Sequence, residues 1–380
     1  MWCPDCETID DYFFDTTYFW LFLPSGNAFN NVAMMCGENN WESMHANDKC
    51  IQAKLQREEI TAFLTSLGGC LSGPEFGQSK VTTTSTPEAP DLVAIARLAS
   101  VETMVRRFQA RWIKTAVEKE SYQSWYQPIV HADSTAQQPK IFGHESLFRL
   151  FDEDNNVVPP AFVFNLADQS GLLYSVDLIA RRSAVEHAAR AQLSGKVFIN
   201  FNPSSIYDPS YCLRSTATAI NELGFRPEDI VFEVTETHQA RDINHLKGIL
   251  AFYRSCGFGV ALDDIGSGWS SLNMMAQLRP DYIKIDMDLV RNIHINRHKQ
   301  NIVSHLIQLA HDNGVEVIAE GIESEAEAEV LREMRVNYMQ GYLFGKPAAL
   351  TERLSNGHQD SIAESVEPLS KAARHFDSMV

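Results

Sequence analysis

Acidic, amide and lysine residues recur at or near the ends of successive apolar runs, at Glu145, Asn200, Glu233, Asp263 with Asp264, Lys284, Glu320 and Gln340. The densest case is Val260-Ala261-Leu262-Asp263-Asp264-Ile265-Gly266-Ser267-Gly268, where an apolar run meets two adjacent carboxylates and then a glycine-bearing loop. Adjacent carboxylates repel each other, and a cation relieves them. Each residue alone has an ordinary explanation: Lys284 can snorkel to solvent, Asn200 can cap a turn, Glu233 can pair with an arginine. All of them at equivalent positions call for another, because polar groups beside an apolar core are costly unless they bind something. Oxygen-only donors suit Mg2+ or Mn2+ better than Zn2+, which prefers histidine and cysteine. Paired aspartates allow a two-metal site, and phosphodiester cleavage is the reaction class to which such a site points.

The elements that must carry these residues are strand-like runs at 126–130, 141–150, 197–201, 230–235, 259–264, 282–286, 315–321 and 338–345. Helical stretches such as 161–193 and 301–312 lie between most of them. Alternation of that kind means a parallel sheet covered by helices. Eight strands in this space fit a TIM-like (β/α)8 barrel of the α/β class, with its site at the C-terminal strand ends. An open doubly wound sheet is the alternative. The connection 131–140 is too short for a helical crossover, so the first strand is expected to be antiparallel to the second.

Ahead of the barrel, expected over 119–350, residues 1–70 read as a small sensory or regulatory domain of unknown class. Residues 71–91, rich in Gly, Ser, Thr and Pro, have the composition of a linker. A connecting helix is expected over 92–118, where Leu98, Val101, Val105, Phe108 and Trp112 form an a/d stripe. The stripe fits either a helix packed on its own barrel or a dimer-forming, signal-relaying one. Residues 351–380 form a polar tail, with a degenerate helix near 363–373.

The 380 residues carry a formal charge of -17, which disfavours a nucleic-acid polymer because an acidic surface repels phosphates. A small anionic substrate remains compatible, since bound cations reverse the local sign. The apolar run 18–24 is too short to insert in a membrane and follows Asp10, Asp11 and Asp15 instead of a basic region, so a cytoplasmic protein is expected. Seven scattered cysteines do not suggest a disulfide framework. Cys3 and Cys6 form a CxxC pair that could hold zinc or sense redox state, or be ordinary free thiols, since no second CxxC follows. The aromatic run Tyr12, Phe13, Phe14, Tyr18, Phe19, Trp20 and Phe22 reads as core, with a ligand pocket as the other reading.

From residue 126 to about 347 the chain resembles the EAL-domain cyclic di-GMP phosphodiesterases. The strings that carry the likeness are Tyr126-Gln127-Pro128-Ile129-Val130, Glu145-Ser146-Leu147-Phe148-Arg149, Asn200-Phe201-Asn202-Pro203, Glu233-Val234-Thr235-Glu236-Thr237, Asp263-Asp264-Ile265-Gly266-Ser267-Gly268, Lys284-Ile285-Asp286, Ala319-Glu320-Gly321 and Gln340-Gly341-Tyr342. The resemblance implies hydrolysis of cyclic di-GMP to linear pGpG with Mg2+ or Mn2+. By it, Glu145, Asn200, Glu233 and Asp263 would hold one metal, and Asp263 and Asp264 would share the second. Lys284 would stand beside the nucleophilic water, with Glu320 and Gln340 completing the metal and water shell. Gln127, Leu147, Arg149 and Asn202 would meet the substrate, Arg149 on its phosphate side. Glu236 would position the loop 265–271, which the family connects to a homodimer interface on the barrel. Departures are Ser146 for alanine, Ile265 for phenylalanine, Trp269 for tyrosine and Asn202 for serine, and none removes a metal ligand.

Two other functions fit parts of the pattern. A non-catalytic cyclic di-GMP receptor would ordinarily have lost ligands, and here none is lost. A Schiff-base lyase using Lys284 would need no metal and leaves the Asp263–Asp264 pair unexplained.

Overall fold

The computed structural model describes residues 9–206, 214–235, 243–266 and 271–350. Cys3, Cys6, Glu236, residues 267–270 of the glycine-bearing loop and the tail 351–380 lie outside the described residues. Among the described residues the chain divides into two compact units, one of 9–121 with 152–173 and one of 122–151 with 174–350.

The first unit is a five-stranded antiparallel sheet of β1 (Thr16–Phe22), β2 (Glu42–Asn47), β3 (Cys50–Gln56), β4 (Lys80–Thr84) and β5 (Ala99–Ser100), ordered β2-β3-β1-β4-β5. Helices Gly26–Glu38 and Ile60–Cys70 fall between β1 and β2 and between β3 and β4, the β-α-β-β-α-β order of a ferredoxin-like unit. Phe19, Leu21, Ile51, Leu55, Phe63 and Leu67 fill its core, and of the aromatic run Tyr12, Phe13 and Phe19 belong to it while Phe22 is exposed.

Two expectations change here. Residues 71–91 are not a bare linker: Ser72 and Glu75 form a capping box for helix Gly73–Gln78, and β4 pairs with β1. The threonines that suggested a loop suit a strand because they are β-branched, and Thr82 and Thr83 donate to Ala94 O at 2.5 Å and Tyr12 O at 2.6 Å. The stretch 92–118 is not one helix. It holds a short helix Leu92–Ala96, then β5, then helix Val101–Glu118 capped by Ser100. Of the stripe, Val101 and Val105, joined by Met104, pack into the core of the N-terminal sheet.

In the second unit eight strands close a barrel: β6 (Tyr122–His131), β7 (Ile141–Phe151), β9 (Lys196–Asn200), β10 (Ile230–Thr235), β11 (Gly259–Ile265), β12 (Tyr282–Ile285), β13 (Glu316–Ala319) and β14 (Tyr338–Gln340). The two-residue β8 (Val157–Val158) falls in the segment assigned to the first unit. The barrel order is β6-β14-β13-β12-β11-β10-β9-β7, with β6 pairing back to β7. As the short 131–140 connection requires, β6 is antiparallel to both neighbours, while the other barrel pairs are parallel.

Side chains alternate across each strand. One set, including Val197, Phe232, Leu262, Ile283, Val317 and Met339, joins helix residues such as Leu250, Val303 and Ile307 in the main core. The opposite set, Ile129, Phe198, Val231, Ala261, Tyr282, Ile318 and Tyr338, packs with Phe142 as an interior plug. Phe142 and Tyr338 stack with ring centroids 3.6 Å apart. Each fully buried apolar side chain stabilises the fold by about 1.5–3 kcal/mol.

At the end of β14, Gly341 lets the chain pass against the backbone that follows Glu320. Ile322 N–H donates to Gln340 O at 3.1 Å, and a Cβ on Gly341 would lie 2.1 Å from Ile322 O and 2.3 Å from Ile322 N. Backbone atoms there cannot give way, so Gly341→Ala is expected to destabilise by about 1–3 kcal/mol. Thermal unfolding checks this; an unchanged midpoint would show that the segment shifts freely.

Candidate active site

Two residues beyond each plug residue on the parallel strands stands a polar one: Asn200 after Phe198, Glu233 after Val231, Asp263 after Ala261, Lys284 after Tyr282, Glu320 after Ile318 and Gln340 after Tyr338. On β6, which runs the other way, Gln127 stands two before Ile129. Period-two geometry therefore stacks a polar layer on the apolar plug at the C-terminal end of the barrel.

At its centre Lys284 is 1% exposed, with Nζ 2.6 Å from Glu320 Oε1, 3.1 Å from Glu233 Oε1, and 3.3 Å from both Glu145 Oε2 and Asp263 Oδ1. Glu145 also accepts from Asn200 Nδ2 at 3.0 Å and from Gln340 Nε2 at 2.6 Å, and Gln340 reaches Gln127 Oε1 at 3.3 Å. Two acid groupings share one residue: Glu145, Glu233 and Asp263, and then Asp263, Asp264 and Glu320, each with oxygens within 4.8 Å of one another.

Consecutive strand residues normally face opposite ways, so paired aspartates need not meet. Here the β11–β12 register breaks between Leu262 and Ile265, and Asp264 takes the left-handed φ of 57°. That local strain, worth on the order of 1–3 kcal/mol, brings both carboxylates to the same mouth. The Asp264 N–H donates to Asp263 Oδ1 at 2.9 Å.

Five carboxyl groups thus crowd one ammonium, and burial together with these charges explains the shifts. Burial pushes the Lys284 ammonium down, but Asp263, Glu145, Glu233 and Glu320 carry it well above its ordinary value. Burial raises Glu233 and Glu320 well above the usual carboxylate range, against the pull of Lys284, and raises Asp263 as well. Burial and then Asp263 push Asp264 up to about 6. Burial also opposes ionisation of Glu145, yet Lys284, Gln340 and Asn200 together hold it below its ordinary value. A lysine ringed by four carboxylates that favour its charged form is the reverse of the neutral amine a Schiff base needs, which weighs against the lyase alternative.

The donor set fits hard divalent cations. All charged donors are carboxylates, and Glu233 Oε2 is buried with no hydrogen-bond partner among the described residues. Oε1 of the same residue has only the ion pair to Lys284. With one ammonium against five carboxylates, two divalent ions would neutralise the four remaining charges.

A pH test follows. Carboxyls whose folded pKa is raised above the unfolded value of ~4 bind protons more tightly when folded. Their contribution is present below that value and is lost as pH rises through the folded pKa, which for Asp264 is about 6. Lowered Glu145 acts oppositely, but the raised groups outnumber it. In chelator, the unfolding midpoint is expected to fall by roughly 5 °C from pH 5 to pH 8, and saturating Mn2+ to remove the fall. A flat chelator profile would contradict this electrostatic account.

The remaining expected residues lie close by. Leu147 and Arg149 follow Glu145 on the same face of β7, and the Arg149 guanidinium sits 5.2 Å from the Trp125 ring centre while Nη1 donates to Phe148 O at 3.0 Å. Asn202 begins the turn after β9, its Oδ1 accepting Ser204 N–H at 2.9 Å. Sequence reasoning assigned no role to Asp286, which caps helix Met287–Val290 and helps to raise Asp264. It also missed Asp177, whose carboxylate holds the Asn202 turn.

A family model, EAL domain, matches residues 110–347. The chain belongs to the EAL domain family. Among its relatives, the probable cyclic di-GMP phosphodiesterase PdeB of Escherichia coli K12 is 31% identical over 64% of this chain and 46% of its own length. Cyclic di-GMP phosphodiesterase PdeF of the same organism is 26% identical over 69% of this chain and 33% of its own. Against solved structures, a standalone versatile EAL protein from Vibrio cholerae O395 in its c-di-GMP-bound form is 36% identical, with a TM-score of 0.53, covering 60% of this chain and 93% of that one. The chain spans about a third of the length of the curated relatives that match first. The EAL region is similar to phosphodiesterases for cyclic di-GMP, and its buried acid groupings could bind metal. Among the described residues no helix is long and apolar enough to cross a membrane.

Proposed function

We propose that this EAL domain hydrolyses cyclic di-GMP to linear pGpG and requires a divalent metal, Mg2+ or Mn2+. One observation carries the reading: two carboxylate groupings share Asp263 around a buried, charged Lys284 at the mouth of the barrel. Glu145, Asn200, Glu233 and Asp263 would hold one ion, and Asp263 with Asp264 the second. When bound, such ions stabilise the charge that develops on the phosphoryl group and make a bound water acidic.

The chain's own residues do the rest. Lys284 keeps its proton and presents positive charge where the attacking oxygen must gather. Glu320, 2.6 Å from Lys284 Nζ, holds that ammonium in place, and Gln340 fixes the Glu145 carboxylate. Arg149, Gln127, Leu147 and Asn202 would receive the substrate. In the reaction the water oxygen bonds to phosphorus, the ester bond to a ribose oxygen breaks, and that oxygen leaves with a proton.

The reading includes a homodimer through the barrel, to be checked by sedimentation, and regulation by the N-terminal unit. Regulation is supported by connectivity, since among the described residues the chain passes between the two units after residues 121, 151 and 173. Phe63→Ala in the N-terminal core is expected to change turnover at least threefold; an unchanged rate would remove the regulatory part.

Incubation with cyclic di-GMP and Mn2+ or Mg2+, followed by anion-exchange separation, tests the main claim. Metal-dependent pGpG that chelator abolishes is the expected result. Binding without turnover would make the chain a receptor, and neither binding nor turnover would overturn the proposal.

A further inference from the structure

The ladder that fixes β9 ends with Phe201, whose N–H donates to Glu233 O at 3.1 Å. The next backbone N–H, of Asn202, turns instead to Asp177 Oδ1 at 2.9 Å, and Ser205 Oγ donates to Asp177 Oδ2 at 2.8 Å. A carboxylate from helix Leu173–Arg190 therefore takes over where the strand ladder stops. One helical turn on, Arg181 donates Nε to Asp177 Oδ2 at 2.9 Å and Nη1 to Thr216 Oγ1 at 2.6 Å in helix Arg214–Glu222. Asp177 is 2% and Arg181 0% exposed. A buried ion pair gains little net stability over apolar residues of the same volume, so stability alone does not account for it.

We infer that Asp177 and Arg181 are positioning residues, acting on substrate through Asn202. The inference rests on the phosphodiesterase reading, in which Asn202 meets cyclic di-GMP. Asn200 lies inside the ladder, paired opposite Glu233, so the metal side of the site does not depend on this carboxylate. Asn202 lies outside the ladder and does. The signature is therefore a loss of substrate affinity with metal binding intact.

The test measures kcat and KM for cyclic di-GMP, with the Mn2+-induced shift in unfolding midpoint as the metal readout, on the full chain. Asp177→Asn is expected to raise KM about tenfold with kcat within about twofold and the Mn2+ shift unchanged. Asn202→Ala is expected to raise KM similarly, and the double variant no further than either alone, because both act through one contact. Arg181→Met should match Asp177→Asn, and Arg181→Lys, which keeps a cation beside Asp177, should recover most of the loss. Should Asp177→Asn not fold, Ser205→Ala removes one donor to the same carboxylate without unpairing a charge, and is expected to raise KM about threefold. Multiplicative KM effects in the double variant, or losses in kcat or the Mn2+ shift instead of KM, would overturn this inference alone. No turnover and no binding in the unmodified chain would overturn the parent reading and this one with it.

Discussion

Glu145→Gln is expected to lower turnover of cyclic di-GMP by at least ~10³-fold and to abolish the Mn2+-induced rise in the unfolding midpoint. Glu145 is where the site's contacts converge: it accepts from Asn200 and Gln340, pairs with Lys284, and belongs to the Glu145–Glu233–Asp263 grouping. An amide in its place keeps the volume but loses the charge, and its NH2 turns a donor toward Asn200 or toward Gln340 and Lys284. The chelated variant is expected to be less stable than the unmodified chain at neutral pH, because the charge that Lys284, Gln340 and Asn200 hold ionised is gone. Turnover within tenfold of the unmodified chain, in a variant that still folds, would remove Glu145 from the metal-binding set.

Lys284→Met should have the largest combined effect on activity and stability. Four carboxylates lose their shared cation, and breaking a buried ion pair on one side costs about 3–5 kcal/mol. In chelator at pH 8 the variant is expected to unfold well below the unmodified chain, and saturating Mn2+ to restore much of the difference. At saturating metal kcat should still be lower by about 10²–10³-fold, since the fixed charge near the reacting oxygen is missing. With its pKa raised, the contribution of Lys284 to stability is present below its ordinary value and is lost only at higher pH. A metal-loaded Lys284→Met variant with unimpaired kcat would leave Lys284 with a structural role only.

Much of the site was legible because barrel strands print it in the sequence with a fixed offset. Apolar runs end in polar residues where the strand leaves the plug and enters the mouth, as in Val231-Phe232-Glu233 and Tyr282-Ile283-Lys284. Asp177 and Arg181 left no such mark. An acid and a base four apart on a helix read as a solvent-exposed pair, and only packing buries them. The stretch 71–91 misled for a related reason: its serines and threonines are equally suited to loops, to helix caps and to an edge of a sheet, and the partner strand decides.

By itself the sequence determined the strand–helix alternation of an α/β fold, its antiparallel first strand and an oxygen-rich set of residues at the strand ends, because hydrophobic period and residue chemistry are local properties. Tertiary structure decided the rest. Whether Asp263 and Asp264 face together depended on a register break and one left-handed residue, and whether Lys284 stays charged depended on carboxylates from four other strand ends. The helix Val101–Glu118 joined the N-terminal sheet because that sheet offered an apolar core for Val101, Met104 and Val105, a partner that no periodicity in the helix itself can specify.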